Sequence, residues 1–408
     1  MKKRLIIVLM TVALIGSLAT ILPVSKVEAV AKIKIGDYVK MGKYYGESIL
    51  WRCVNIDANG PLMLADRILT FKSFDGRGTH KYSDGTLQED PDLYRISYGS
   101  DLWQTSNMRS WLNSTATAGN VKWPDGCPPT EHNVLKGYYA YASEKGFLTN
   151  GNFSATERNA LKSVNQKSLL NSLDESKLSV GGYHYHINNN DISNVLTNYE
   201  SAYYHNIKDK MFLLDVKQVF KVYQNRKTLG TNYYIGKPTQ KAIDNYEYND
   251  SEQNTSSNLD YWLRSPYATP AYGFNVRIVG SGGNVFNARA YSSCGIRPAF
   301  YLNLQTANFK SGNGSKGSPF SLNPKIHVKS VKLNKTTISI LKGKTSKLIP
   351  TINPSNASNK KVSWKSSNKL VATINTTGTV KGIRKGIAYI TVVTVDGKKS
   401  AKCKVVVK

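Results

Sequence analysis

The sequence predicts two domains, an α+β domain followed by a small all-β sandwich. In the longer first part, alternating strand patterns within residues 261–300 stand beside helical patterns such as the one that follows Asp215. Beyond residue 325, strand patterns recur at short intervals and no helical pattern appears. Residues 305–325 are rich in Ser, Gly, Asn and Lys, and this composition predicts a linker between the domains.

The amino terminus has the pattern of a secretory signal peptide. Residues 2–4 are basic, residues 5–22 are apolar, and residues 27–29 (Val-Glu-Ala) supply a small-residue cleavage site. The apolar run is long enough for a retained membrane anchor, but Gly16 and Pro23 favour removal. We therefore expect residues 1–29 to be a leader, the mature protein to be secreted or cell-surface, and no later segment to span a membrane.

Strand patterns open the first domain, which we expect to cover residues 30–304. Ile49, Trp51 and Cys53 alternate on one face of a strand, and an apolar strand follows at residues 61–65. Together they predict an antiparallel meander. Residues 75–100 are polar and contain glycine, so they are expected to be loop.

Helix caps mark four short helices in the same domain. Ser106 precedes an apolar helical pattern, and Ser154 with Glu157 forms a capping box whose helix is expected to continue through Val164. Asp215 and Thr239 are the other two predicted caps. Between these helices, residues 175–207 are expected to be an insertion, and residues 211–214 a buried strand.

The stretch from Tyr261 to Phe300 combines short strands with aromatic and arginine residues. Residues 274–279 alternate with period two, which predicts a half-buried strand, and the glycine-rich residues 280–283 predict a hairpin turn. Five residues are the candidate ligand-binding set: Trp103, Trp262, Arg264, Arg277 and Arg297.

The three arginines of this set have two possible roles. They can present bidentate donors to a carboxylate, sulfate or phosphate, or they can anchor loops through buried pairs. The anchor role is favoured, because loop-rich α+β domains need such anchors. The tryptophans, with doubled tyrosines such as Tyr233-Tyr234, can stack on sugars or serve the core.

Charge is divided unevenly along the chain, whose net charge is +28. Residues 326–408 hold seventeen lysines and Arg384 against Asp396, a net +17, while residues 30–325 carry only +8. Such a basic domain attracts polyanions through a salt-screened field. For an exported protein the expected partner is a cell-wall polyanion or acidic glycan rather than nucleic acid, with solubilising surface lysines as the alternative.

The last domain, residues 326–408, contains the motifs Ile352-Asn353-Pro354, Val362-Ser363-Trp364 followed by Lys365-Ser366-Ser367-Asn368, and Gly378-Thr379-Val380. In these motifs it resembles the bacterial immunoglobulin-like domains of group 2 (BIG2). The resemblance implies an immunoglobulin-like sandwich, with Trp364 as core aromatic, that serves exported proteins as a spacer or adhesion module without catalytic residues.

Short motifs are spread over the first domain, at residues 36–39 (Gly-Asp-Tyr-Val), 106–112 (Ser-Asn-Met-Arg-Ser-Trp-Leu), 261–266 (Tyr-Trp-Leu-Arg-Ser-Pro) and 295–299 (Gly-Ile-Arg-Pro-Ala). In these motifs the domain resembles a family of exported domains common in Gram-positive bacteria, domain of unknown function 6273. More weakly, the closing pattern is similar to the C-type-lectin-like fold of sulfatase-modifying proteins. That similarity implies paired amino- and carboxyl-terminal strands. The cysteine pair of the formylglycine-generating relatives is not matched, because Cys294 stands alone in its region.

Metal and catalytic motifs are weak. The histidines His184, His186 and His205, with Asp191, lie in or beside a polar insertion that frames zinc poorly. The scattered cysteines have no metal spacing, and their pairing stays open. We expect no cofactor, no metal and no catalytic residue. The preferred function is a non-catalytic binding or adhesion protein for envelope glycan or polyanion. The alternative is a glycan-acting enzyme in the first domain, which would need paired carboxylates about 5–10 Å apart.

Overall fold

Strands predominate over helices in the computed structural model, which describes residues 33–78, 91–124, 127–135, 140–170, 192, 204–246, 253–267, 273–323, 326–355 and 357–408. The predicted signal peptide, the zinc candidates His184, His186 and Asp191, and most of the predicted insertion lie outside these ranges.

The first domain contains fourteen strands within the described residues. In chain order they are β1 (Tyr38–Tyr44), β2 (Glu47–Asp57), β3 (Gly60–Ala65), β4 (Thr70–Ser73), β5 (Leu161–Lys162), β6 (Val164–Leu169), β7 (Tyr204–Asp209), β8 (Tyr261–Pro266), β9 (Asn275–Val279), β10 (Val285–Arg289), β11 (Ser293–Ile296), β12 (Ala299–Leu302), β13 (Phe309–Ser311) and β14 (Phe320–Leu322). The described helices are α1 (Pro91–Tyr98), α2 (Asn107–Asn113), α3 (Ala155–Ala160), α4 (Val216–Gln224), α5 (Arg226–Leu229) and α6 (Gln240–Asp244), with a 3-10 turn at Trp103–Thr105.

Two larger sheets organise this domain. One has the order β13-β14-β1-β2-β3-β12-β5 and the other the order β10-β9-β8-β11-β4, while β6 and β7 form a separate hairpin. Val39 of β1 pairs with Phe320 of β14, and Leu64 of β3 pairs with Ala299 of β12. Strands from the two ends of the domain therefore pair, as the lectin-like similarity implies.

The segment expected to be a linker contributes strands to the first sheet. Phe309 and Phe320 stack with their ring centroids 5.0 Å apart, and β14 lies beside β1. The sequence of residues 305–325 did not predict these strands, because Phe309 and Phe320 each lie alone among small and polar residues. The first sheet consequently extends beyond residue 304.

The predicted helix starts are confirmed, but one helix end is not. Both Ser154 and Asp215 form capping boxes, and Ser106 and Thr239 cap α2 and α6. Helix α3 ends at Ala160 instead of continuing through Val164, since β5 pairs with β12 and β6 pairs with β7. A cap fixes where a helix starts, whereas these pairings with distant segments fix where it stops.

Three further expectations are corrected by the pairing pattern. Residues 91–98, expected to be loop, form α1. Residues 211–214 are buried as expected, but they form only a single bridge, between Phe212 and Ala299, and not a strand. Strand β9 is buried on both faces instead of one, since Val276 and Ile278 are at most 5% exposed on one face and Arg277 and Val279 at most 2% on the other.

The second domain is the predicted β-sandwich. Its strands are β15 (Ser330–Leu333), β16 (Thr337–Ile340), β17 (Thr345–Lys347), β18 (Pro350–Asn353), β19 (Val362–Ser366), β20 (Ala372–Ile374), β21 (Thr379–Gly382), β22 (Gly386–Thr394) and β23 (Ser400–Val407). They form sheets of order β16-β23-β22-β19, β17-β21-β20 and β15-β18. The sequence pattern predicts a single strand over residues 347–352, but these residues divide between β17 and β18, and β16 is not among the strands that the pattern predicts.

Trp364 lies at the margin of the sandwich core rather than at its centre. Leu348, Ile390 and Cys403 are fully buried there, and the half-buried Trp364 packs against this cluster. Its ring lies over Gly378, whose φ of +85° and close approach leave no room for a Cβ. Trp364 therefore covers one edge of the core.

We expect residues 326–408 to fold as an independent fragment, because the sandwich contains its own core cluster. Trp364 is the only tryptophan in the fragment, so its fluorescence can follow denaturant unfolding. The expected result is one cooperative transition. A gradual change in fluorescence, without a transition, would contradict this expectation.

Candidate functional site

All five candidate ligand-binding residues are almost fully buried. The exposed fraction of each is between 0 and 3 % for Trp103, Trp262, Arg264, Arg277 and Arg297. Burial of this degree fits a framework role. Only those that border a cavity are placed to reach a ligand.

The two tryptophans hold parts of the framework together. Nε1 of Trp262 donates to the Lys72 carbonyl at 2.8 Å, and Nε1 of Trp103 donates to the Asp209 carboxylate at 2.9 Å. Both rings lie within about 6 Å of the Phe74 ring, at centroid distances of 5.8 and 6.0 Å. These donors tie separate segments around one aromatic cluster.

Arg264 anchors helix α4 to strand β8. It donates to the Asp215 carboxylate at 2.6 Å, to the Leu213 carbonyl at 2.7 Å and to the Gln218 side chain at 2.6 Å. Since Asp215 also caps α4, the ion pair fixes the start of that helix. Arg264 borders a cavity of about 130 Å³ whose other cation-bearing residues are lysines.

Arg277 lies in β9 with its guanidinium 4.5 Å from the Tyr267 ring centroid. It is not among the residues that line the cavities described for this domain. Of the five candidates, Arg297 is the one that borders a larger cationic pocket.

This pocket has a volume of about 320 Å³ and is assembled from distant parts of the first domain. Tyr38 and Arg52 are directly opposite each other on β1 and β2. Asp66 and Arg67 follow the end of β3, and Arg297 lies between β11 and β12. The remaining lining comes from residues 229–237, after α5, and from Lys316 in the β13–β14 turn.

Two guanidinium groups flank one tyrosine ring in the pocket. The Arg52 and Arg297 groups lie 4.5 and 4.7 Å from the Tyr233 centroid. Arg52 donates to the Leu229 carbonyl at 2.7 Å, and Arg297 donates to the Ala65 carbonyl at 3.0 Å. The acceptors of these two hydrogen bonds are carbonyl groups, so neither bond offsets a guanidinium charge with a carboxylate.

The pocket carries a net positive charge. Its lining contains the cations of Arg52, Arg67, Lys237, Arg297 and Lys316, whereas Asp66 is its one carboxylate among the residues that the structure describes. Nζ of Lys316 pairs with this carboxylate at 2.9 Å. Four positive charges therefore remain without a matching carboxylate in the lining.

The pocket phenols stay protonated at neutral pH. Burial, with the nearby Asp66 carboxylate, raises the pKa of Tyr38 to about 12. Burial raises the pKa of Tyr233 well above its usual value. Neutral phenols beside guanidinium and ammonium groups form a donor-rich cavity, which suits an anionic oxygen-bearing group.

The described part of the chain contains no assembled site for metal or thiol chemistry. No group of three or more His, Cys, Asp or Glu side chains is close enough there to hold a metal ion. Of the zinc candidates, His205 lies on β7 and the others fall outside the described ranges. The four cysteines are free, and burial raises the pKa of Cys294.

Sequence reasoning missed most of the pocket. Tyr38, Arg52, Asp66, Arg67 and Lys316 were not proposed as ligand-binding residues. The available signals were Arg297, which belongs to the candidate ligand-binding set, and the doubled tyrosine at 233–234, which was considered for stacking on sugars. Pairing of Tyr38 with Arg52 requires a strand register, which a single sequence does not give.

Comparison with known families decides the assignment of the first domain. The family model described as "Domain of unknown function (DUF6273)" matches residues 62–304, more than half of the chain. The chain belongs to the DUF6273 family. In this DUF6273 protein a bacterial Ig-like domain of group 2 follows at residues 327–405. The pocket extends beyond the family match, to Tyr38, Arg52 and Lys316.

Similar proteins share only part of their length with this DUF6273 protein. A kappa-carrageenase from Pseudoalteromonas carrageenovora is 43% identical over 82 residues, 20% of this chain and 21% of that protein. An Ig-like virion protein of Serratia phage KSP90 is 40% identical over 83 residues, 20% of this chain and 32% of that protein. The chain thus spans less than a third of each relative.

One solved structure similar to the DUF6273 protein is an intimin mutant from EHEC O157:H7. It is 19% identical over 19% of this chain and 46% of that chain, with a TM-score of 0.17. At that score the likeness carries no functional argument. None of the described helices of the DUF6273 protein has the length and apolarity to cross a membrane.

Proposed function

We propose that this DUF6273 protein is an exported, non-catalytic binding protein of the cell surface. Its first domain binds an acidic group of a cell-envelope glycan or polyanion in the pocket around Arg297. The observation that carries the proposal is the excess of cations over carboxylates in a cavity of about 320 Å³. A pocket of this size suits a small ligand or one unit of a polymer.

The pocket favours an acidic sugar or a phosphate-bearing unit for two reasons. Guanidinium groups recognise carboxylate, sulfate and phosphate oxygens through paired donors. Tyr38 and Tyr233 add phenol hydroxyl groups beside those cations, and such donors suit the oxygens of an acidic substituent.

The second domain adds long-range attraction. Its net charge of +17 on residues 326–408 exceeds that of the rest of the mature chain. Surface charges act over about one Debye length, ~8 Å at physiological ionic strength. This attraction is weakly selective and falls with salt, whereas the pocket contributes selectivity. The signal peptide predicted at residues 1–29 supports the proposed secretion and surface location.

The kinds of protein that share similar segments support an accessory role for the Ig-like domain. Segments similar to part of this chain occur in an enzyme and in a virion protein, over lengths close to that of the domain. A module found in proteins of such different kinds supports binding or spacing rather than chemistry.

For the first domain we propose a C-type-lectin-like fold, supported by pairing of β1 with β14 and of β3 with β12.

The enzyme alternative has less support from this pocket. A glycosidase needs two carboxylates about 5–10 Å apart. Among the described residues that line the cavity, Asp66 alone carries a carboxylate, and Lys316 pairs with it. The pocket as described is therefore suited to holding an anion.

The proposal predicts that two exposed lysines of the pocket contribute to binding. Replacing Lys237 and Lys316 with glutamine is expected to weaken binding of purified cell-wall polymer roughly tenfold, since each partly exposed charge contributes up to about 1 kcal/mol. Isothermal titration calorimetry with the full mature chain measures the change.

A matched control removes two exposed lysines elsewhere in the first domain, Lys122 and Lys210. The K122Q/K210Q variant has the same net charge as K237Q/K316Q and should bind like the wild-type protein. Equal loss in both variants would contradict a role for the pocket and leave only non-selective attraction by net charge.

A further inference from the structure

The outer face of the sheet β16-β23-β22-β19 carries an aromatic ring among lysines. Side chains alternate along β22, so Ile387 and Tyr389 point away from the core while Ala388 and Ile390 are buried within it. Ile387 is 51% exposed and Tyr389 is 47% exposed. Together they place an apolar surface on this outer face, and exposed apolar surface can mark an interaction site.

The strand register places lysines around Tyr389. Lys404 of β23 is directly opposite Tyr389, and Lys402 is directly opposite Thr391, the next outward residue of β22. On the other side of β22, Lys365 of β19 is also opposite Thr391. All three lysines are exposed. Opposed side chains on a sheet are about 5 Å apart at Cβ, and successive outward residues about 7 Å apart.

Within residues 326–408, no acidic residue offsets these charges on the face. Asp396 is the only acid in residues 326–408. It lies beyond the end of β22 and contacts the His327 ring nitrogen at 3.0 Å. The lysine–tyrosine face, defined as Lys365, Ile387, Tyr389, Lys402 and Lys404, is thus uniformly cationic around an exposed ring.

We propose that the lysine–tyrosine face binds a linear anionic polysaccharide. A flat face of extended strands suits an extended chain, and the Tyr389 ring can stack on a sugar while lysines on both sides neutralise acidic substituents. The Tyr389 ring offers one stacking position, which suits a sugar chain. Proteins that bind single-stranded nucleic acids instead stack successive bases on several aromatic side chains. This inference takes one element from the proposed function, the class of ligand, which is an anionic polymer of the cell envelope.

The test compares two triple variants of the full mature chain, each with the pocket intact. One is K365Q/K402Q/K404Q, on the face. The other is K329Q/K344Q/K381Q, which removes three exposed lysines outside it. Polygalacturonate is the probe, and neutral dextran is the negative control. We expect the face variant to lose roughly tenfold or more in affinity for polygalacturonate, because it removes lysines that pair with carboxylates of the polymer. The control variant should lose about twofold, because it lowers only the long-range attraction.

Tyr389→Ala tests stacking separately. It is expected to weaken polygalacturonate binding about fivefold, as removal of one aromatic contact does. Leu370→Ala, at an apolar residue that is 70% exposed in the turn before β20, should leave binding unchanged. Unchanged thermal unfolding in all variants shows that the exposed substitutions leave the fold intact.

Several outcomes would overturn the inference. Equal losses in the two triple variants would reduce the effect to net charge. Binding of double-stranded DNA as tight as that of polygalacturonate, without dependence on Tyr389, would indicate a general polyanion surface. A change from dimer to monomer in the face variant would assign the face to a second copy of the chain. The K237Q/K316Q variant should keep polygalacturonate binding through this face, so the two proposals can fail separately.

Discussion

Replacing Arg297 with methionine is expected to lower the free energy of unfolding by about 3–5 kcal/mol, because it leaves two carbonyl acceptors without their donor. The side chain is 1% exposed and donates to the Ala65 and Tyr233 carbonyls, both at 3.0 Å. Methionine fills much of the space but leaves these acceptors without their donor, and each buried unsatisfied group costs about 1–3 kcal/mol. Denaturant unfolding of the full mature chain measures the loss.

Arg289→Met provides the control for this prediction. Arg289 is exposed at the end of β10, with its guanidinium 4.6 Å from the Tyr98 ring centroid. An exposed cation–π contact contributes about 0.5–1 kcal/mol. Similar losses in the two variants would mean that Arg297 does not anchor the strands around it.

The second large effect is expected at the pair formed by Lys72 and Glu144. Lys72 is fully buried on β4, its Nζ lies 2.5 Å from Oε1 of Glu144, and it faces the rings of Trp111 and Tyr141 at 5.1 and 4.9 Å. Glu144→Gln keeps an acceptor for the Tyr44 hydroxyl but removes the charge that balances Lys72. We expect a loss of about 3–5 kcal/mol in unfolding free energy.

A double variant separates the lost pair from the lost packing. Lys72→Met combined with Glu144→Gln leaves no buried charge, and it should be more stable than Glu144→Gln alone. A double variant that is less stable than Glu144→Gln alone would contradict the view that an unbalanced buried ammonium causes the loss.

The same lysine predicts a pH effect. Burial lowers the pKa of Lys72 in the folded protein, an effect that Glu144 opposes. The unfolded chain, with a lysine pKa of about 10.4, then binds the proton more tightly, so stability contributed by this group rises with pH between the two pKa values. The difference in unfolding free energy between wild type and Lys72→Met, measured against pH, should show this rise.

Local patterns were sufficient for the framework of both domains. The caps at Ser154 and Asp215 and the alternation on β2 are local features, and the structure has them where the sequence indicates. The end of α3 and the burial of both faces of β9 depend on distant partners, so local patterns predicted them wrongly.

The pocket and the buried ion pair lay beyond local reasoning for the same reason. Lys72 follows Phe71 in a strand pattern where lysine ordinarily faces solvent, and its partner Glu144 is 72 residues away. Arg297 was identified from its place in a short pattern, but Arg52 and Lys316 join it only through sheet order. The sequence shows which charged and aromatic side chains are present. Which of them lie together in the pocket depends on the fold, so a single sequence did not predict it.

The most direct test of the central claim is an experimental structure of the mature protein with an acidic cell-wall fragment bound. The account predicts that the acidic group lies in the pocket of the first domain, with its oxygens about 2.7–3.2 Å from cationic nitrogens of Arg52, Lys237 or Lys316. A fragment bound elsewhere on the first domain, with the pocket holding only water, would contradict it.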